Sequence, residues 1–315
     1  MPKKSLHPLK LQPALHVKVW GGRRLASQLG KRLPTDQPYG ESWELHDTSR
    51  VENGAHRGKT LGELTRQFGS LLIGAGNDSA DGMPLLAKFI DAGEWLSIQV
   101  HPDDAQAKAL EGEARGKTEA WVVLHADPGA RLVIGLGPGV TIGQLTKAIK
   151  SNRLESLLVY AEVAPGDVLY IPANTVHALG PGILIYEIQQ SSDTTYRLYD
   201  WGRLGLNGQP RALHIDQGVA VANLKSLPQV RRPAGDLLVD SAYFRTWRHT
   251  LADSVLDLSS EGRFQALSCI EGSVQVTAGD QDAIALSKGE TGLIPACIAD
   301  FRISGFGTLL RSAQS

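Results

Sequence analysis

The chain has 315 residues, enough for about two domains, with 42% apolar and 21% charged residues. A net charge of −1 and a pI of about 6.8 provide no basic field for nucleic acid or an anionic membrane surface. No apolar run approaches the roughly 20 residues of a membrane helix, and two cysteines, Cys269 and Cys297, are too few for a disulfide framework or a thiolate metal site.

The start, Met1-Pro2-Lys3-Lys4-Ser5-Leu6-His7-Pro8, is basic but has no apolar segment behind it, so it does not read as a signal peptide and a cytoplasmic protein is expected. Leu9–Leu11 and Val17–Trp20 read as short strands closed by the turn at Gly21-Gly22, and Tyr39–Leu45 as another. Residues 60 to 73 have helical spacing. Thr60 is the cap, Glu63 follows three residues later, and Leu61, Leu64, Phe68, Leu71 and Leu72 form the stripe. Leu85–Ala92 and Trp95–His101 are expected to form a strand pair around Gly93-Glu94. In the second of these, strict alternation places Gln99 and His101 on one face and Leu96, Ile98 and Val100 on the other.

Pro102 to Ala107 starts a helical turn, and Lys117-Thr118-Glu119 leads into the strand Ala120–Leu124. Arg131–Leu136 is a strand, residues 141 to 158 are helical, and Val163–Ile171 and Gly182–Gln189 are strands. Residues 212 to 230 are mixed, and from Tyr243 onward strand follows strand. Scattered among these runs, 34 glycines and 16 prolines give the punctuation of sandwiches and barrels.

One stretch recurs. Pro165-Gly166-Asp167-Val168-Leu169-Tyr170-Ile171-Pro172-Ala173 is matched by Lys288-Gly289-Glu290-Thr291-Gly292-Leu293-Ile294-Pro295-Ala296. His177 follows Pro172 by five residues, whereas Asp300 occupies that offset from Pro295. The implied arrangement is a duplicated β-unit of which only the first copy keeps a metal-binding side chain.

Gln99, His101, Glu119 and His177 come from three separate strands or strand ends. Two imidazoles, a carboxylate and one further oxygen would leave a cation open to water or substrate. Nitrogen and oxygen donors suit zinc, and also manganese, iron or cobalt. The other histidines (His7, His16, His46, His56, His125, His214 and His249) read as surface or structural. Gly58-Lys59-Thr60 and Gly116-Lys117-Thr118 lack the spacing of a phosphate loop, and Gly135-Leu136-Gly137-Pro138-Gly139 lacks that of a dinucleotide fingerprint. No nucleophile elbow occurs.

From Trp20 to the C-terminus, and most strongly over residues 85 to 203, the chain resembles the type I phosphomannose isomerases, in particular the short bacterial form without a large inserted helical domain. The resemblance rests on Trp20-Gly21-Gly22, Gly40-Glu41-Ser42-Trp43, Ser97-Ile98-Gln99-Val100-His101-Pro102, Gly116-Lys117-Thr118-Glu119, Tyr170-Ile171-Pro172 with His177-Ala178, and residues 189 to 197, Gln-Gln-Ser-Ser-Asp-Thr-Thr-Tyr-Arg. Long forms end Ser-Asp-Asn where this chain has Ser192-Asp193-Thr194.

That resemblance implies a mainly β fold of two tandem cupin-like (jelly-roll) β-barrels with a few peripheral helices. Residues 1–225 would form a metal-binding catalytic domain with helical insertions, and 226–315 a degenerate second cupin without ligands. It further implies one Zn2+ per chain on Gln99, His101, Glu119 and His177, with Arg197 catalytic and Lys117 and Glu187 near the active site. The substrate would be a small sugar phosphate, with no nucleic-acid or membrane partner. Converting an aldose into its 2-ketose moves a proton between C1 and C2 through an enediol, which needs a Lewis acid, charge stabilisation and a general base. Arg197 suits the charge; Lys117 or Glu187 suits the base. Trp20 and Trp43 are candidates to wall the sugar or to sit in the core. A non-catalytic cupin that binds sugar or senses metal, and an iron oxygenase, are the competing readings.

Overall fold

The structure, a computed structural model, describes residues 6–315; the first five residues of the basic N-terminal stretch lie outside the described residues. From the N-terminus run β1 (Leu9–Gln12), β2 (Ala14–Gly22), α1 (Arg24–Ser27), β3 (Tyr39–Leu45) and β4 (Arg50–Val51). Next come α2 (Leu61–Phe68), α3 (Ser70–Ile73), β5 (Leu85–Ala92), β6 (Ile98–Val100), α4 (Asp104–Glu111), β7 (Glu119–Ala126) and β8 (Arg131–Leu136). They are followed by α5 (Ile142–Lys150), β9 (Leu158–Glu162), β10 (Val168–Ile171), β11 (Ala178–Leu179), β12 (Ile183–Gln190), β13 (Tyr196–Tyr199) and α6 (Ile215–Val221). The remainder is strand: β14 (Leu237–Asp240), β15 (Phe244–Ser259), β16 (Gln265–Thr277), β17 (Ile284–Ser287), β18 (Thr291–Ile294) and β19 (Asp300–Gln314).

The fold is mainly β, as expected, with the helices outside the sheets. A six-stranded sheet runs β10-β7-β12-β5-β2-β3, a three-stranded one β11-β8-β9, and β13 pairs with β6. The C-terminal sheet runs β14-β15-β19-β16-β18-β1-β4, with β17 on the far part of β16. These orders run from edge to edge, so hydrogen bonding does not close either large sheet into a ring. Sheet membership also departs from chain order, because β1 leaves the N-terminal half to pair with β18.

Period-two alternation sorts each strand between two cores. On β12, Leu184, Tyr186 and Ile188 enter a layer shared with Phe244, Phe264, Ala266 and Leu310 of the C-terminal sheet, while Ile183 and Ile185 enter an inner cluster with Trp20, Trp121 and Leu169. On β16, Ala266 faces the shared layer, and Leu267 and Cys269 face a separate C-terminal cluster. The two halves therefore meet through the outer, apolar side of the first. Polar groups in this layer are paired: Glu44 lies 2.6 Å from Lys31 Nζ and accepts from Ser42 and, at 3.0 Å, from Thr291.

Several elements are shorter than their periodicity indicates, each for a backbone reason. The Thr60/Glu63 capping box forms, but Gly69 at φ 52 divides the 60–73 segment into α2 and α3. Asn152 at φ 57 ends the 141–158 helix, and Leu158–Glu162 is strand. Pro165-Gly166 makes a turn, so the next strand begins at Val168. The strand pair around Gly93-Glu94 does not form. Gly93 and Glu94 donate to the Trp20 carbonyl, β5 pairs with β12 and β3, and β6 crosses over to β13. A Cβ on Gly93 would lie 2.5 Å from the Gly21 carbonyl oxygen, so only glycine admits this crossing.

Candidate active site

That crossing carries Gln99 and His101 to their partners. Gln99 and His177 exchange both backbone hydrogen bonds, at 3.0 and 2.9 Å, and Glu119 opens β7 opposite Ile171 of β10. His101, Glu119 and His177 are all buried, and one donor atom from each lies within 4.8 Å of the others. His177 Nε2 is 3.1 Å from Glu119 Oε1, and His101 Nε2 is 3.5 Å from Oε2. Gln99 Nε2 lies 3.4 Å from His101 Nε2 and 3.3 Å from His177 Nε2; turning the amide puts Oε1 in that place.

Each imidazole is locked from behind. His101 Nδ1 faces the Thr194 carbonyl and His177 Nδ1 the Thr175 carbonyl, both at 2.9 Å. A carbonyl oxygen only accepts, so the ring proton is on Nδ1 and the Nε2 lone pairs point inward. Burial first, then the Lys117 ammonium, hold the His101 pKa well below its ordinary value. Burial would raise the Glu119 pKa, but Lys117 and the two histidines outweigh it and keep the group ionised. Two imidazole lone pairs and two carboxylate oxygens thus converge, and neither the Nε2 atoms nor Glu119 carries a proton of its own. This donor set fits a divalent cation.

Lys117 projects to the same place, as its spacing from Glu119 implies: Nζ is 3.1 Å from His101 Nε2 and 3.3 Å from Glu119 Oε2. Glu187 accepts from Trp121 Nε1 at 2.9 Å through Oε2, while Oε1 sits 3.2 Å from the Lys88 ammonium. Burial, then the Glu119 carboxylate, raise its pKa. Arg197 donates to Ser97 Oγ and to the Ala212 carbonyl, and has no carboxylate within ion-pair distance among the described residues.

Gln99, Lys117, Glu187 and Arg197 line one cavity of about 250 Å³. A larger cleft of about 800 Å³ between Leu15, Lys31 and Lys288 contains none of these groups. Trp20 walls the cavity, whereas Trp43 lies behind it, beneath the Lys88 ammonium at 5.2 Å. Leu96 faces the cavity and the inner cluster rather than sharing the core of Ile98 and Val100. None of the other seven histidines joins the metal cluster.

Several charged cavity residues, Lys18, Glu41, Lys88 and Arg211 among them, were not singled out from the sequence. Lys88 is one of two charges, with Asp91, in the otherwise apolar β5. Lys18 and Glu41 belong with it: Glu41 Oε2 is 3.0 Å from Lys18 Nζ and accepts from Trp43 Nε1 at 2.9 Å. Burial opposes its ionisation, but Lys88 and Lys18 bring its pKa down to about 2. Arg211 gave no signal, because only the tertiary fold brings it back. Asp200 holds it, and its Nη2 donates to Ser97 Oγ at 2.9 Å beside Arg197.

Fold and site together define a protein of the cupin kind with a buried two-histidine, one-carboxylate centre beside a charged cavity that Gln99 and Lys117 line. Comparison with known proteins is specific. A family model for the catalytic domain of type I phosphomannose isomerase matches residues 8–128, and one for the mannose-6-phosphate isomerase cupin domain matches 236–314. The mannose-6-phosphate isomerase of Streptococcus mutans is 37% identical over 95% of both chains. A crystal structure of the Bacillus subtilis mannose 6-phosphate isomerase aligns with TM-score 0.87 at 34% identity, covering 98% of this chain and 99% of that one. A mannose 6-phosphate isomerase solved with zinc and yttrium shares the fold, with TM-score 0.74 at 19% identity over 98% of this chain and 100% of that one. The chain belongs to the type I phosphomannose isomerase family.

Proposed function

We propose that the protein interconverts mannose 6-phosphate and fructose 6-phosphate, with one Zn2+ per chain held by Gln99, His101, Glu119 and His177. The observation that carries this reading is the set of converging acceptor atoms that carry no proton of their own, beside a cavity that Gln99 and Lys117 line. In the proposed arrangement, residues 1–225 form the catalytic cupin and 226–315 a second cupin without ligands, in a cytoplasmic enzyme with no nucleic-acid or membrane partner.

When bound, the cation supplies Lewis-acid polarisation of the sugar oxygens. The chain's own groups do the rest. Glu187 is the general base. Its raised pKa makes it a stronger base than an ordinary carboxylate, and Trp121 pins one oxygen so that the other carries the proton from C2 to C1. Lys117 donates to the sugar oxygen on which charge develops. Arg197, lacking a carboxylate partner, holds negative charge, and with Arg211 it makes a positive end suited to the phosphate. Two residues of extended chain separate Ser97 from Gln99, roughly 6–7 Å, so the reacting and anionic ends of a hexose phosphate have separate places. Trp20 walls the sugar.

The test is to add mannose 6-phosphate to purified protein and assay fructose 6-phosphate with and without a chelator. Chelator-sensitive turnover, restored by zinc, is expected. Binding without conversion would favour the non-catalytic reading.

A further inference from the structure

Lys117 lies on no regular element, yet three consecutive backbone N–H groups around it are held. Lys117 N donates to the Pro102 carbonyl at 3.0 Å. Before it, Gly116 N donates to Asp104 Oδ1 at 2.8 Å; after it, Thr118 N donates to Gln190 Oε1 at 3.0 Å. These two anchors are one structure, because Gln190 Nε2 also donates to Asp104 Oδ1 at 2.8 Å. The remaining oxygen, Asp104 Oδ2, accepts at 3.2 Å from the hydroxyl of Tyr243, which precedes β15 in the C-terminal half. Burial and the Asp104 carboxylate push the Tyr243 pKa up to about 12, so the hydroxyl keeps its proton. Gly116 packs so closely that a Cβ there would lie 2.4 Å from the Asp103 carbonyl carbon; the loop has no slack of its own.

We infer that Asp104 is a positioning residue for Lys117, acting through Gly116 and Gln190, and that Tyr243 completes this clamp from the other half of the molecule. The inference rests on the proposed role of Lys117. The second half, which brings no ligand to the metal cluster, thereby contributes to the reaction geometry. Two of the three acceptor bonds of Asp104 are to N–H groups and the third is to a hydroxyl, which accepts as well as donates. An asparagine in its place keeps Oδ1 on Gly116 and Gln190 and donates from Nδ2 to the Tyr243 oxygen.

The zinc-loaded full chain is the material for the test, with mannose 6-phosphate as substrate, together with bound zinc, thermal midpoint and hydrogen exchange of the Gly116 and Thr118 amides. Asp104→Ala should lower kcat about 10- to 100-fold, the scale of an ångström misplacement, with KM within about twofold and zinc unchanged. Both amides should lose protection. Asp104→Asn should restore kcat to within about threefold of the natural protein, and Tyr243→Phe should fall between the two. Asp103→Ala is the control: it removes the α4 cap and lowers the thermal midpoint, but leaves Gly116 N on Asp104, so kcat should hold. Asp104→Ala with full kcat, or a loss matched by Asp103→Ala, overturns the inference. If Asp104→Ala does not fold, an unchanged kcat in Tyr243→Phe does so. A natural protein without isomerase activity would sink the functional proposal instead, and amide exchange would still decide whether the clamp exists.

Discussion

The two halves of the molecule use the same turn to opposite ends. Gly166 and Gly289 sit at φ 91 and 83, a region that glycine tolerates. Gly166 N donates to the Val123 carbonyl and Val123 N to that of Asp167; Gly289 N donates to Cys269 and Cys269 N to Glu290, all at 2.8–2.9 Å. Asp167 and Glu290 each accept from the backbone N–H three residues earlier at 2.8 Å. With this match, strand register gives the counterparts. Glu119 opposite Ile171 corresponds to Gln265 opposite Ile294, and Glu187 opposite Trp121 to Arg311 opposite Leu267. Lys88 corresponds to Trp247.

In the first half these positions hold charges around open space. In the second, the Arg311 guanidinium stacks 3.8 Å over Trp247 and donates to Gln265 at 2.9 Å and His249 at 3.2 Å. Burial lowers its pKa to about 10. Asp300, at the His177 offset, is exposed. The same backbone thus holds a convergent cluster in one place and a filled interior in the other, and a handful of register positions decides which.

The largest effect that would break this contrast is expected at His101. His101→Ala should lose bound metal, and turnover should fall below about one-thousandth; retained activity in a metal-free variant would refute the site. The reverse change, Gln265→Glu with Asp300→His, should gain no second equivalent of zinc, because Arg311 pairs with the new carboxylate; metal analysis by mass spectrometry decides. Glu187→Gln should lower kcat about 10²- to 10⁴-fold with metal retained, whereas Arg311→Leu, its counterpart, should leave kcat within about twofold and appear only as a lower unfolding midpoint.

Smaller and confined to acid is the effect of Glu41. Its pKa of about 2 lies below the ordinary 4.5, so its ionisation stabilises the fold above pH 4.5, and that stabilisation is lost as pH falls through about 2. The full term is on the order of 3 kcal/mol. Glu41→Gln should flatten denaturant-measured stability across that window; an unchanged acid slope would show that Lys88 and Lys18 do not hold the carboxylate as described.

The metal cluster was legible because alternation fixes which side chains share a strand face, and Gln99 and His101 obey it. Strand partners were not legible. Periodicity marks β5 and β6 alike, but the close approach of Gly93 to Gly21 that separates them is tertiary. Lys88 was hidden for a related reason: a charge within a strand has the same pattern whether it meets water or a buried carboxylate. Arg211 depends on Asp200 folding its loop back, which no local pattern encodes. The repeat announced the shared turn, and only register identified Arg311 as the residue occupying the place of Glu187.

The pairing of β1 with β18, Leu9 against Leu293, has a bearing on how the chain is made. The earliest strand to leave the ribosome finds β4 early but must wait for almost the last strand before its other side is paired, a contact of very high sequence separation that slows folding. Shortening the gene from its 3′ end would therefore strip β18 from β1 and leave the β1–β4 pair with a bare edge inviting aggregation, rather than release a smaller working enzyme.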